Sequence, residues 1–197
     1  MRFIIIGATA AAALALAACE PAAQDPAAET PAAEGATVEG ATAAPDATED
    51  QAAGPAVALH GEGLRLVDRQ SGSTRLIAFG TPRAEASTAL AAAWGEAGET
   101  GANAECPPGP LEFAEYGETT VYFQDGAFAG WYTEDTAQSG MNGLAPGWTR
   151  AQVEEAGGEL SETSLGQEFE AGGMYGIMNE DASAVSALWA GVNCFFR

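Results

Sequence analysis

Between Glu20 and Val57 the chain is built almost entirely of Ala, Pro, Glu, Asp, Thr and Gly, with Val38 and Val57 as its only large aliphatic residues and no aromatic. Such a stretch cannot bury enough apolar surface to offset the entropy of ordering it. Its prolines (Pro21, Pro26, Pro31, Pro45, Pro55) and its acids without a base favour an extended form. The expectation is a disordered acidic tether over 19–57 that spans roughly 35 Å as a coil. Every Trp and Tyr, and every Phe except Phe3, lies beyond it, which confines the expected folded domain to 58–197. A domain of that size buries about two thirds of its unfolded surface.

Ahead of the tether come one positive charge at Arg2, an apolar run from Phe3 to Leu16, and the small-small-Cys ending Leu16-Ala17-Ala18-Cys19. That is the order of a secretory signal, and the run is too short to serve as a mature spanning helix. The ending resembles the lipobox of the prolipoprotein family, in which the cysteine sulfur receives a diacylglycerol before the peptide is cut ahead of it. The resemblance implies a signal peptide over 1–18 and a lipidated Cys19 at the mature N-terminus. It places the protein at the periplasmic face of the outer membrane. Glu20 stands where Asp would resemble an inner-membrane retention signal, and the inner membrane is the alternative. The rival reading of Phe3-Ile4-Ile5-Ile6-Gly7-Ala8-Thr9 is a buried strand entering a dinucleotide-binding glycine turn. It lacks the further glycines that let a backbone approach a pyrophosphate, because Ala8-Thr9-Ala10-Ala11-Ala12-Ala13 follow Gly7.

The charge balance removes other classes. Against 28 acidic residues the chain has 7 basic ones, all arginine, for a net charge of −21. Nucleic-acid binding needs cationic side chains that release counterions, and an anionic membrane surface would be repelled. Solubility in the envelope accounts for most of the acidity, and a cationic partner is the sharper alternative. Cys106 and Cys194 form an even pair in an exported domain, which reads as a disulfide. With His60 they supply too few soft ligands for a closed zinc site. No metal and no cofactor are expected.

The aromatic region reads as an α+β fold of two similar helix-plus-antiparallel-sheet units in one compact domain. An opening hairpin is expected from Leu64–Val67 and Thr74–Phe79. Thr81 is the cap candidate for a helix from Pro82 to Trp94 that Gly95 ends. Strands follow at 111–116, 119–124 and 127–132, the last two joined by Asp125-Gly126, a strong hairpin signal. Then Gly147-Trp148-Thr149-Arg150-Ala151-Gln152 parallels Gly80-Thr81-Pro82-Arg83-Ala84-Glu85, with Thr149 as cap and Gly157-Gly158 as stop. Strands are expected at 167–170, 174–178 and 185–190. The repeat candidates are 79–133 and 146–190, and each carries a tryptophan in its last strand, Trp131 or Trp189.

A glycine, a capped helix ended by glycine, and strands with an aromatic-x-Asp-Gly hairpin resemble the small envelope lipoproteins of the BamE type. Two such units in tandem are similar to the β-lactamase-inhibitory proteins, although there the cysteines close loops inside each unit. This resemblance implies a binding or scaffold role.

A search for chemistry points the same way. A Ser-His-Asp set would have to use His60, which lies outside the expected core elements. Glu112 with Glu115, and Glu154 with Glu155, read as solvated faces, and Asp125-Gly126 and Asn179-Glu180-Asp181 read as turns. No catalytic residue is assigned. Trp131, Tyr132 and Trp148 are the candidate binding aromatics, with Trp131 and Tyr132 on opposite faces of a strand. The expected function is a lipid-anchored, non-catalytic binding or envelope-assembly module with an envelope protein as partner. The alternative is a small envelope hydrolase using carboxylates. If Cys19 is acylated, the full chain takes up labelled palmitate and Cys19→Ser does not; a Cys19→Ser protein that still carries lipid overturns the anchor.

Overall fold

Eleven strands and two helices are arranged in two antiparallel sheets in the computed structural model, which describes residues 54–195. The expected signal peptide, Cys19 and all but the last residues of the expected tether lie outside the described residues. The first sheet has the order β1 (Ala56–His60), β2 (Gly63–Val67) and β3 (Thr74–Ala78). Strand β1 begins two residues before the expected boundary at Ala58, and adds a strand to the expected hairpin. Helix α1 (Arg83–Trp94) then leads into β4 (Thr100–Asn103), β5 (Leu111–Tyr116), β6 (Thr119–Gln124) and β7 (Ala127–Thr133). Helix α2 (Arg150–Glu155) leads into β8 (Glu159–Thr163), β9 (Gly166–Ala171), β10 (Met174–Met178) and β11 (Val185–Gly191).

These eight strands form one sheet with the order β4-β5-β6-β7-β11-β10-β9-β8. Two meanders therefore meet at a seam between β7 and β11, where Leu188, Trp189, Ala190 and Gly191 stand opposite Thr133, Tyr132, Trp131 and Gly130. This corrects the α+β expectation. At 46% strand against 13% helix among the described residues, the fold is mostly β. Strands β4 (Thr-Gly-Ala-Asn) and β8 (Glu-Leu-Ser-Glu-Thr) escaped the sequence reading because they lack β-branched and aromatic alternation. Both are edge strands, held by the ladder of one neighbour.

The two helix starts dock on the large sheet with the same backbone hydrogen bonds. Gly80 N–H donates to Phe128 O, Phe128 N–H to Thr81 O, and Arg83 N–H to Gly126 O, at 2.7, 2.8 and 2.9 Å. In the second half Gly147 N–H donates to Val185 O, Val185 N–H to Trp148 O, and Arg150 N–H to Ser183 O, at 2.7, 2.7 and 3.2 Å. Gly80 and Gly147 both hold a left-handed φ, 90° and 89°, which turns the chain into the helix and favours glycine. On this correspondence Phe128 matches Val185, so Tyr132 matches Trp189. The sequence pairing of Trp131 with Trp189 is corrected. The two indoles point to opposite faces, because Trp189 stands across from Tyr132 while Trp131 stands across from Ala190.

Helix capping also differs between the halves. Thr149 and Gln152 form the expected capping box of α2. Thr81 does not cap α1, whose N-cap is Pro82 with no side-chain bond.

One face of the large sheet holds the core. Trp131, Phe123, Phe128 and Val121 pack there with Leu59, Leu64 and Ile77 of the small sheet, Leu90 of α1, Val153 of α2 and Leu144 of the intervening loop. Trp131 is fully buried, and its indole N–H donates to Gly63 O at 2.8 Å and His60 O at 3.1 Å. One side chain thus joins the two sheets. Among the described residues no helix is long and apolar enough to cross a membrane. Replacing Trp131→Phe should lower urea-unfolding stability by about 2–4 kcal/mol, because it leaves a gap and deprives two carbonyls of their donor. An unchanged midpoint would mean that the small sheet docks without this bond.

Candidate binding face

The other face of the large sheet carries a side-chain row that runs straight across seven strands. Register places Glu115 beside Thr120, Thr120 beside Tyr132, and Tyr132 beside Trp189. It then places Trp189 beside Tyr175, Tyr175 beside Glu170, and Glu170 beside Glu159. Directly paired residues share a face, and all of these oppose the buried Trp131 and Ala190. The row therefore has an aromatic middle and acidic ends. With strands about 4.8 Å apart it is roughly 29 Å long.

Ring contacts tie the middle together. Tyr175 and Trp189 stack with centroids 6.3 Å apart. Phe195 comes back over the sheet and meets Trp189 edge-on at 4.9 Å and Tyr132 at 5.6 Å. Trp189 is thereby reduced to 5% exposure, while Tyr175 keeps 48%. Phe195 is placed by its neighbour: Cys194 forms a disulfide with Cys106, joining the segment after β11 to the loop after β4 across a Cα–Cα distance of 4.9 Å. Asn103 Nδ2 lies 3.4 Å from Cys194 Sγ at the same end.

Of the three aromatics expected to bind, the structure brings only Tyr132 to this face. Trp131 is corrected to a core residue, since strand alternation sends it inward and both its bonds are internal. Trp148 is corrected as well: it packs against the core at the start of α2, away from the row. Trp189, Tyr175 and Phe195 went unrecognised. Trp189 and Tyr175 were legible only through a register that no local motif encodes. Phe195 needed the disulfide.

The carboxylate pairs considered in the sequence do not converge. Glu112 turns to the covered side and meets Arg83 at 2.7 Å, while Glu115 lies on the open face. Glu154 pairs with Arg150 at 2.9 Å. Asp181 accepts from Ser183 N–H and Oγ, which holds its carboxyl below the usual range and makes it part of a turn. His60 lies on β1, with its ring between Glu62 N–H and the Arg65 guanidinium. Among the described residues no group of three or more His, Cys, Asp and Glu side chains gathers closely enough to hold a metal ion. Carboxylates do share one hollow. A depression of about 570 Å³ beside Tyr175 is lined by Glu159, Glu168 and Glu170 together with Ser161.

Comparison with protein-family models, with curated proteins and with solved structures yields no match for this chain.

Burial raises the Tyr132 hydroxyl well above the usual range, and the Glu134 carboxylate, to which that hydroxyl donates, raises it further. Tyr116 and Tyr122 are raised too, chiefly by burial, with Glu96 and Glu115 adding to it. Above about pH 10 the unfolded chain loses these protons while the folded chain keeps them. Unfolding then releases protons, and stability falls as pH rises. Denaturant midpoints should decline above that pH in the wild type and decline less steeply in Tyr132→Phe, with Tyr116 and Tyr122 supplying the remaining slope. Parallel slopes would remove Tyr132 as a source of the effect.

Proposed function

We propose that the protein is a non-catalytic binding or assembly module of the cell envelope, tethered through a lipidated Cys19 at the periplasmic face of the outer membrane. In this reading the open face of the large sheet is presented to an envelope protein partner. The observation that carries it is the aromatic row Tyr132, Trp189 and Tyr175, closed over by Phe195, on the face that the small sheet and the helices leave uncovered. Tyr and Trp held rigidly on a sheet are the side chains that anchor interfaces, since they bury a large area at small entropic cost. The acidic tether would hold this face clear of an anionic membrane.

A second reading, a small envelope hydrolase, draws on one observation: Glu159, Glu168 and Glu170 line the same depression. A photo-crosslinking residue in place of Tyr175 in the full chain, in its own envelope, distinguishes the two. The binding reading expects a discrete protein adduct at Tyr175 and none when the crosslinker replaces Arg75, which lies on the small sheet. Equal labelling from both positions overturns it. So does an absence of adducts together with turnover of a glycan or ester that Glu170→Gln abolishes.

A further inference from the structure

We infer that the segment Val192–Phe195 is a cover over the Trp189 site of the open face, latched by the Cys106–Cys194 disulfide and opened when a dithiol reduces that bond. This rests on the reading of the open face as a binding surface, and adds how access to it is controlled.

Trp189 points away from the core, yet it is only 5% exposed, against 48% for its stacking partner Tyr175. Phe195 makes the difference, since its ring lies edge-on to Trp189 and to Tyr132. The path of the chain is built for this crossing. At Gly191 the backbone leaves β11 with a left-handed φ of 72°, and Val192 N–H donates to Ala129 O at 2.9 Å. Val192 then passes over Gly130, which shares the open face with Tyr132. A Cβ at Gly130 would fall 2.0 Å from Val192 O, so a side chain there would collide with the segment.

Little besides the disulfide holds the far end of the segment. Asn193 Nδ2 donates to Ala190 O and Gly191 O at 3.3 and 3.1 Å, which fixes the turn out of β11 and not the position of Phe195. Asn193 Oδ1 is buried with no hydrogen-bond partner, a cost carried by the closed form. The Phe195 ring is only half-buried when closed, and edge-on ring contacts are individually modest. Against them stands the entropy of ordering each residue of a chain end. The disulfide lowers that entropy cost by tying Cys194 to the loop after β4. With the bond cut, Phe195 hangs from Gly191 alone.

The two sulfurs differ in access, because Cys106 is 4% exposed and Cys194 is half-buried. A thiolate of the dithiol therefore attacks Cys194 Sγ, and the bond to Cys106 breaks as Cys106 leaves and takes up a proton. The second thiol of the reagent then attacks the mixed disulfide and releases Cys194 as a thiol. Both cysteines are reduced, by two electrons in all, and the dithiol becomes a disulfide. The place that Phe195 leaves is shaped for an aromatic side chain of the partner, since one occupies it in the closed form.

The test reads the solvent exposure of individual indoles in the isotope-labelled full chain, through the relaxation that a soluble gadolinium chelate adds to their ring protons. Trp189→Phe assigns the Trp189 signals. Trp131, bonded to Gly63 O and His60 O, is the reference for an intact fold. Dithiothreitol at neutral pH should open both cysteines to alkylation and raise the effect at Trp189 severalfold, while Trp131 stays protected. The variant Cys106→Ser/Cys194→Ser should match the reduced chain without added thiol. Phe195→Ala should expose Trp189 with the disulfide intact, and reduction should then add little. In the protein's own envelope, a photo-crosslinking residue in place of Tyr175 should give more protein adduct in the cysteine variant than in the wild type.

A Trp189 that stays protected after both cysteines are alkylated overturns the inference, because the segment then holds itself down. So does an unchanged Trp189 in Phe195→Ala, which keeps the disulfide. Loss of protection at Trp131 together with Trp189 on reduction overturns it too, since the bond would then be holding the fold and not a cover. A disulfide that resists dithiothreitol in the folded chain removes the exchange step and the latch with it. Equal adducts from wild type and cysteine variant overturn the control of access and leave the open face a binding surface. Adducts from neither remove the binding surface itself.

Discussion

The pairing of β7 with β11 determines both sides of this molecule. Four residue pairs along that seam turn two four-stranded meanders into one sheet. Alternation along the same two strands then divides their side chains. Trp131, Leu188 and Ala190 go to the core, and Tyr132 and Trp189 go to the open face. A slip of one residue would exchange the sets, placing a tryptophan that bridges two sheets in solvent. The bond from Trp131 to the β1–β2 turn fixes the small sheet to the same strand. Core and candidate binding row therefore share one register.

Charge is divided between the layers as cleanly as hydrophobicity. The described arginines lie on the small sheet, its turn and the two helix starts; Arg75 and Arg150 pair with Glu85 and Glu154 of the helices, and Arg83 with Glu112 on the covered side of β5. Exposed pairs like these contribute little stability each. Their location still matters, because it leaves the aromatic row bordered by Glu115 at one end and Glu159 and Glu170 at the other. The uncovered side of the large sheet carries acidic residues and no base among its described strands.

Local chemistry was readable from the sequence, and assembly was not. Strands β5, β6 and β10 and the Asp125-Gly126 turn follow from alternation and turn residues, and Asp125 and Gly126 do take positive φ values of 51° and 78°. Gly95 closes α1, and Thr149 caps α2, as their positions suggested. The cysteine pair followed from count and compartment and is bonded. Two helices weighed heavily in the expected α+β class, yet α2 spans only 6 residues and β4 and β8 carry almost no β signature. The relative faces of Trp131 and Trp189 depended on a pairing between strands more than fifty residues apart, and on bulges at Tyr122/Phe123 and Ile177/Met178. Periodicity within one strand holds no information about such partners. The open-face row was missed for that reason, and of its aromatics only Tyr132 had been singled out, on a strand whose alternation sends it away from Trp131.

The last of the described strands in chain order is the one that fills the centre of the large sheet. Until Val185–Gly191 is available, β7 and β10 are both open edges, and Trp131 lies on a strand paired on one side only. A nascent chain therefore cannot close the large sheet before residue 191 has been made. Cutting the chain ahead of Val185 would remove the middle of the sheet and not its margin.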